Sequence, residues 1–145
     1  LYPAGKEGTK VPDFTVTDNA GKSFTLAELC QDKKYLLIDF WASWCPYCIK
    51  EFPALKEMYD KFADKGFKIL GVAVRDKAED TKASVDKYEL KWDIMYNAER
   101  IPYNIYGFTG IPHLMLIGPD GKIISRGESP SQISAYLEQV YGSEE

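Results

Sequence analysis

Residues 35–42, YLLIDFWA, form a nearly continuous apolar run of strand length. A strand apolar on both faces needs a layer packed on each side, which is the setting of a central strand in a parallel or mixed sheet. The run leads directly into Cys45-Pro46-Tyr47-Cys48 and then into an apolar stripe, Ile49, Phe52, Leu55, Tyr59 and Phe62, at three- and four-residue spacing. That stripe predicts an amphipathic helix starting at the cysteines. Pro46 suits its first turn, where a missing N–H costs nothing. Pro53 is expected to kink it, and Gly66 to end it.

The remaining elements follow the same logic. Residues 1–10 are polar and Gly-rich and read as a loose entry arm. VPDFTVTDNAGKSFTLAEL places two apolar, β-branched runs around Asp18-Asn19-Ala20-Gly21, a β-hairpin signal. FKILGVAV predicts a second buried strand, residues 77–90 a charged helix, and WDIMY a short strand. HLMLIGPDGKIISR reads as two strands around a Gly-Pro-Asp-Gly turn. SPSQISAYLEQVY closes the chain as a helix capped by Ser129 or Ser131. The order requires a parallel crossover first and antiparallel strands later, hence an α/β fold: a central mixed sheet flanked by helices on both faces, with an added N-terminal β-hairpin. At 145 residues the chain is expected to form a single domain and, in solution, a monomer.

Charge and composition exclude several classes. A net charge of −4 and a pI near 5.1 argue against nucleic acid as a partner. No apolar run is long enough to span a bilayer, and no signal peptide is visible. The chain begins at Leu1 rather than Met, consistent with removal of a targeting segment. Three cysteines are too few for a disulfide scaffold.

Cys45 and Cys48 at i and i+3 share a helix face at a separation that permits a disulfide. Cys45 meets the unpaired N–H groups and positive end of the helix dipole, which favour a thiolate, whereas Cys48 lies deeper and is more shielded. One sulfur is placed to attack at a loop tip and the other to resolve the mixed disulfide. A zinc site completed by Cys30 and His113 is the competing reading, but those residues form no second paired motif. A purely structural bridge would constrain only one helical turn. Cys30 reads as a small packed residue. Trp44 and Tyr47 suit an apolar rim for docking partners, while Trp41 suits the core.

LLIDFWASWCPYC, with Asp39, Trp41 and Trp44, resembles the active-site strand and turn of the thioredoxin superfamily. VPDFTVTDNAGKSFTLAEL, CIKEFPALKEMYDKF and YGFTGIPHLMLIGPDGKIISRG resemble the hairpin, first core helix and C-terminal signature of its TlpA/ResA-like extracytoplasmic members. The likeness runs from about residue 8 onward. It implies the thioredoxin fold over residues 1–145 and thiol-disulfide exchange with protein partners, most plainly reduction of protein disulfides outside the cytoplasm, without a cofactor. Recharging would come from a membrane-bound or soluble electron donor.

The resemblance also implies site residues. Pro112, in GIPHL, matches the cis-proline beside the cysteines, which turns the Ile111 backbone outward to pair with a substrate strand. Pro46 and Tyr47 complete the substrate-binding tip with Trp44. The likeness places Asp39 beneath Cys48, where a buried carboxyl with a raised pKa accepts the resolving thiol's proton. Glu51, three residues after Cys48, matches a second acid of ResA-like proteins, against the alternative of a solvated helix carboxylate. Pro-Tyr between the cysteines is the pair typical of dithiol glutaredoxins, and bears on the redox potential rather than the fold. His113 stands where thioredoxins commonly have Thr. A protonated His113 flanking the cysteines would stabilise the Cys45 thiolate. The rival enzyme class, thiol peroxidases of the peroxiredoxin group, needs a Thr and an Arg around its cysteine, and WASWCPYC has no Thr in the four residues before Cys45.

Overall fold

The structure, a computed structural model, describes residues 7–10, 15–17, 21–29, 34–96 and 110–142. Cys30 and the turn residues Asp18, Asn19 and Ala20 lie outside them.

Five strands form one mixed sheet in the order β5-β4-β3-β6-β7. Its centre is β3 (Leu36–Trp41), every residue of which is buried. The strand β4 (Lys68–Ala73) pairs parallel with β3, and β5 (Asp93–Met95) parallel with β4. On the other side β6 (His113–Ile117) and β7 (Ile123–Arg126) add antiparallel. The parallel half needs crossovers, supplied by helices α2 (Pro46–Phe62) and α3 (Ala78–Tyr88). The antiparallel half needs only the Gly118–Gly121 turn, closed by Gly121 N–H on the Gly118 carbonyl at 2.9 Å with Gly121 at φ +79°. The N-terminal hairpin, β1 (Thr15–Thr17) with β2 (Ser23–Thr25), is a separate two-stranded antiparallel sheet.

Strand alternation divides the core into two layers. Leu37 and Trp41 of β3, Ile69 and Ala73 of β4, and Leu114 and Leu116 of β6 face one way. They meet Phe52, Leu55 and Met58 of α2, Val85 of α3, and Ile133 and Leu137 of α4 (Pro130–Gly142). Leu36, Ile38 and Phe40 face the other way with Leu70, Val72, Met115 and Ile117, covered by Leu26 of the short α1 (Leu26–Leu29). Among the described residues the three long helices thus share one face, and the short α1 lies on the other. β3 to β4 and β4 to β5 step in the same direction across the sheet, so two right-handed crossovers put α2 and α3 on the same side.

The caps explain where the helices begin and end. Thr25 Oγ1 accepts the Glu28 N–H at the start of α1. Ser129 caps α4: its Oγ accepts the Gln132 N–H at 3.3 Å, and Gln132 Oε1 accepts the Ser129 N–H at 2.9 Å, a reciprocal capping box. Helix α2 runs on through Pro53, loses its regularity at Phe62, tightens into a 3-10 turn over Ala63–Lys65 and stops at Gly66, φ +102°.

The entry arm is not loose where it is described. Gly8 N–H donates to the Ile123 carbonyl at 2.7 Å, Ile123 N–H to that of Thr9 at 2.9 Å, and Lys10 bridges Lys122. β7 is the edge strand of the sheet, and residues 7–10 pair with it and cover it. Composition alone does not reveal an edge that needs covering.

Candidate active site

Four elements converge where β3 ends. Trp41 passes into a tight turn in which Cys45 N–H donates to the Ala42 carbonyl at 3.2 Å. Cys45 is the N-cap of α2, with extended backbone (φ −100°, ψ 103°). Its sulfur takes the role that a Ser or Asp oxygen usually plays, accepting the Cys48 N–H at 3.2 Å. Pro46 opens the helix. Cys45 and Cys48 form a disulfide with a Cα separation of 5.3 Å, so the site is in its oxidised state.

The two sulfurs differ less in exposure than a loop tip suggests. Cys45 is 4% exposed and Cys48 1%. The exposed groups are the neighbours, Trp44, Pro46 and Tyr47. The correction has a plain cause: the N-cap sulfur turns inward onto the first turn of its own helix, and the side chains on either side turn out.

Asp39 lies on the α2 face of β3, paired with Gly71 on β4 and Leu114 on β6. It is fully buried, and neither carboxylate oxygen has a hydrogen-bond partner. Burial, reinforced by the charge of Glu51, holds its pKa well above the usual carboxylate range. Glu51, one turn beyond Cys48, is half-buried and likewise raised by burial. Its Oε1 is buried without a partner. The charge of Glu51 thus acts on Asp39, and both acids hold a proton to higher pH than an exposed carboxyl does.

The Ile111–Pro112 peptide bond is cis, and both residues are half-buried. Phe40 pairs with His113, so continuing the register by one residue puts Pro112 alongside Trp41, at the end of β3 from which the cysteine loop departs. His113 is not part of this group. Its ring lies 6.0 Å from that of Phe40, on the face opposite Asp39, Trp41 and α2. Burial, then the Arg126 guanidinium, lowers its pKa to about 4. His113 is thus neutral near pH 7 and turned away from the cysteines, which corrects both the expected imidazolium and any zinc tetrad using it. The reason is strand alternation: one step along β6 from the loop end reverses the face. Among the described residues, no group of three or more His, Cys, Asp or Glu is arranged to hold a metal.

Two residues central to the loop carried no motif signal. Asp76, 8% exposed, accepts Ser43 N–H and Ser43 Oγ–H, both at 2.8 Å, Thr81 Oγ1–H at 2.9 Å and Lys77 N–H at 3.1 Å. It ties the cysteine loop to the start of α3. Beside it, the Arg75 carbonyl accepts Trp44 Nε1–H at 2.8 Å. Their position just past a buried parallel strand was the available clue, since sites of α/β sheets gather at carboxyl ends of strands.

Such a disulfide at a helix N-terminus, on a five-stranded mixed sheet whose central strand buries an acid on the same face and whose neighbouring strand begins at a cis-proline, defines a thioredoxin-type thiol-disulfide oxidoreductase. Known proteins agree. Residues 8–126 match the AhpC/TSA family, to which the chain belongs. The thiol-disulfide oxidoreductase ResA of Bacillus thuringiensis (strain Al Hakam) is 32% identical over 136 residues, covering 92% of this chain and 78% of that protein. The thioredoxin domain of a Bacteroides vulgatus thiol-disulfide oxidoreductase superposes with a TM-score of 0.84 at 30% identity, covering 93% of this chain and 97% of that one. A secreted Mycobacterium tuberculosis disulfide oxidoreductase, homologous to E. coli DsbE, gives 0.72 at 25% identity, covering 87% and 95%. The TlpA/ResA-like resemblance of the sequence is therefore sound.

Proposed function

We propose that the protein reduces disulfides of other proteins outside the cytoplasm, with Cys45 as the attacking sulfur and Cys48 as the resolving one. The observation that carries this is the Cys48 N–H on Cys45 Sγ at 3.2 Å, because in the dithiol state that donor and the helix N-terminus favour a thiolate at Cys45.

In the reduced enzyme the Cys45 thiolate attacks one sulfur of the partner disulfide. The partner S–S bond breaks, a Cys45–partner disulfide forms, and the departing thiolate takes up a proton. Cys48 then gives its proton to Asp39, with Glu51 the alternative acceptor, and attacks Cys45 Sγ. The Cys45–partner bond breaks, the second partner thiolate takes up a proton in its turn, and Cys45–Cys48 is left as the disulfide seen here. An acid held above its usual range is suited to that proton, since its affinity approaches that of the thiol it serves. Pro112 and the backbone of Ile111 would offer the incoming segment a strand edge, with Trp44, Pro46 and Tyr47 as its apolar rim. A dithiol donor, membrane-bound or soluble, returns two electrons and two protons to the pair.

Export is supported by the likeness to the secreted Mycobacterium protein. No helix among the described residues is long and apolar enough to cross a membrane.

Cys48→Ser tests the assignment. A stable mixed disulfide through Cys45 with partner proteins is expected, and Cys45→Ser should trap nothing. Capture through Cys48 or Cys30 would overturn it. The direction is read from the equilibrium with glutathione, where about 30 mV corresponds to tenfold. A pair more reducing than glutathione is expected.

A further inference from the structure

The turn from β3 to α2, residues 42–45, is closed by Cys45 N–H on the Ala42 carbonyl at 3.2 Å, near the long end of the usual range. Its two central residues, Ser43 and Trp44, are each held from outside the turn. Ser43 gives its N–H and its hydroxyl to Asp76, both at 2.8 Å. Trp44 gives its indole N–H to the Arg75 carbonyl, also at 2.8 Å. Just before them, Val74 N–H donates to the Trp41 carbonyl at 2.9 Å. The tie between β3 and β4 therefore continues past both strands and runs up to the residue before Cys45.

The receiving side is itself fixed. Asp76, 8% exposed, also accepts Thr81 Oγ1–H and Lys77 N–H, which lock it to the start of α3. Arg75 holds φ +49°, a left-handed conformation uncommon for a residue with a Cβ. Such backbone persists only where the surroundings determine it.

What needs holding is Cys45. Its use as an attacking sulfur comes from its place, with Sγ 3.2 Å from the Cys48 N–H at the N-terminus of α2, where donor and dipole favour a thiolate. In the disulfide the Cys45–Cys48 bond itself fixes that place. Reduction removes the bond, and the path of the backbone into the helix must then keep the sulfur there. The bonds of Ser43 and Trp44 involve neither sulfur, so they are open to the dithiol as well.

We propose that Asp76 is a positioning residue for the exchange reaction: through Ser43 it holds the turn so that reduced Cys45 stays at the N-cap of α2 and reacts as a thiolate. The inference rests on the reading of Cys45 as the attacking sulfur. The charge of Asp76 works the other way, because a carboxylate near a thiolate disfavours it. Position and charge thus predict opposite effects of removing the side chain.

The test follows iodoacetamide alkylation of the reduced, folded protein between about pH 5 and about pH 9, with each cysteine read separately by peptide mass analysis. In the wild type Cys45 should react first. In Asp76→Ala its profile should move to higher pH, with a rate at about pH 6 lower by about five- to tenfold as the N-cap bond and the helix-end interaction weaken. Asp76→Asn keeps an oxygen for the Ser43 N–H and an amide that can donate to Ser43 Oγ, so it should return to within about twofold of wild type. Phe62→Leu, a buried change at the other end of α2, controls for lowered stability and should leave the profile in place. An Asp76→Ala profile that stays with wild type or moves to lower pH overturns the proposal. So does an equal displacement in Phe62→Leu or in Asp76→Asn. Should Asp76→Ala fail to fold, Ser43→Ala takes its place, with a rate lower by about two- to threefold expected and an unmoved profile overturning the proposal. If Cys48 reacts first in the wild type, the assignment of the attacking sulfur falls and this inference with it. If Cys45 reacts first and Asp76→Ala changes nothing, only the role of Asp76 falls.

Discussion

Ser43 gives Asp76 two hydrogen bonds at 2.8 Å, its backbone N–H to Oδ2 and its hydroxyl to Oδ1. The loop that presents Cys45 is therefore fixed to the end of β4 by one carboxylate, 33 residues away in sequence. The other donors, Thr81 Oγ1 and the Lys77 N–H, bring in α3.

Asp76→Ala should be costly in proportion to what it strands. Thr81 is fully buried and Ser43 partly so, and both lose their acceptor. Unpaired buried donors cost about 1–3 kcal/mol each, and a lost network about 2–4 kcal/mol in total. Asp76→Asn, whose amide nitrogen cannot accept, should fall between. Urea unfolding of the oxidised protein measures this, and a loss under about 0.5 kcal/mol for Asp76→Ala would show that the bonds do not hold the loop.

Gly71→Ala probes the floor of the site. A Cβ there would stand 2.7 Å from Ile94 Cδ1, 3.0 Å from Trp41 Nε1 and 3.3 Å from Trp92 Nε1. Trp41 is fully buried and cannot swing away without disturbing the ring of Phe52, 5.2 Å distant and edge-on. Overpacking of this kind costs about 1–3 kcal/mol. The expected result is a lower urea midpoint with a changed tryptophan emission. Unchanged stability would mean the two indoles have slack.

These contacts mark what the sequence could and could not disclose. YLLIDFWA, FKILGVAV and the helix stripe from Ile49 to Phe62 are legible because burial on one or both faces writes itself into periodicity. Cys45, Cys48 and Asp39 are legible because each is chemically out of place in its segment. The face of His113 required the register of β6 on β3, which fixes Phe40 opposite His113 and is invisible in a linear reading. Asp76 carries no local signal, since its value lies in partners at Ser43 and Thr81 that only folding brings near. The cover that residues 7–10 give to β7 was hidden for the same reason.

His113 titrates in a direction that can be worked out. Its pKa is lowered from 6.5 to about 4, so between those values the unfolded chain binds the extra proton more readily than the folded one. The contribution to stability is complete above about pH 6.5 and is lost as the pH falls toward 4. Allowing for its partial exposure, about 1–2 kcal/mol is at stake. His113→Gln should flatten that part of the stability profile. Because the ring lies on the face away from the cysteines, His113→Ala should also leave the pH dependence of Cys45 alkylation coincident with wild type. A displaced alkylation curve would mean that the imidazole acts on the cysteine across the sheet.

Asp39 carries the opposite sign. Its folded pKa is raised, by burial first and the Glu51 charge second, so the folded protein holds the proton more tightly than the unfolded chain. The favourable contribution is complete below the unfolded value of about 3.9 and is lost as pH rises through the folded one. Above it the protein carries a buried carboxylate with no hydrogen-bond partner. Asp39→Asn removes the titration but keeps the shape. With the disulfide intact, the variant should match wild type in acid and exceed it at pH 8 by more than about 1 kcal/mol. The His113 slope is common to both proteins and cancels in the difference. The same substitution removes the acceptor for the Cys48 proton, so the mixed disulfide on Cys45 should resolve at least roughly tenfold more slowly at neutral pH. If stability rises as expected while resolution keeps its wild-type rate, the proton goes to Glu51 instead, and Glu51→Gln becomes the variant that slows it.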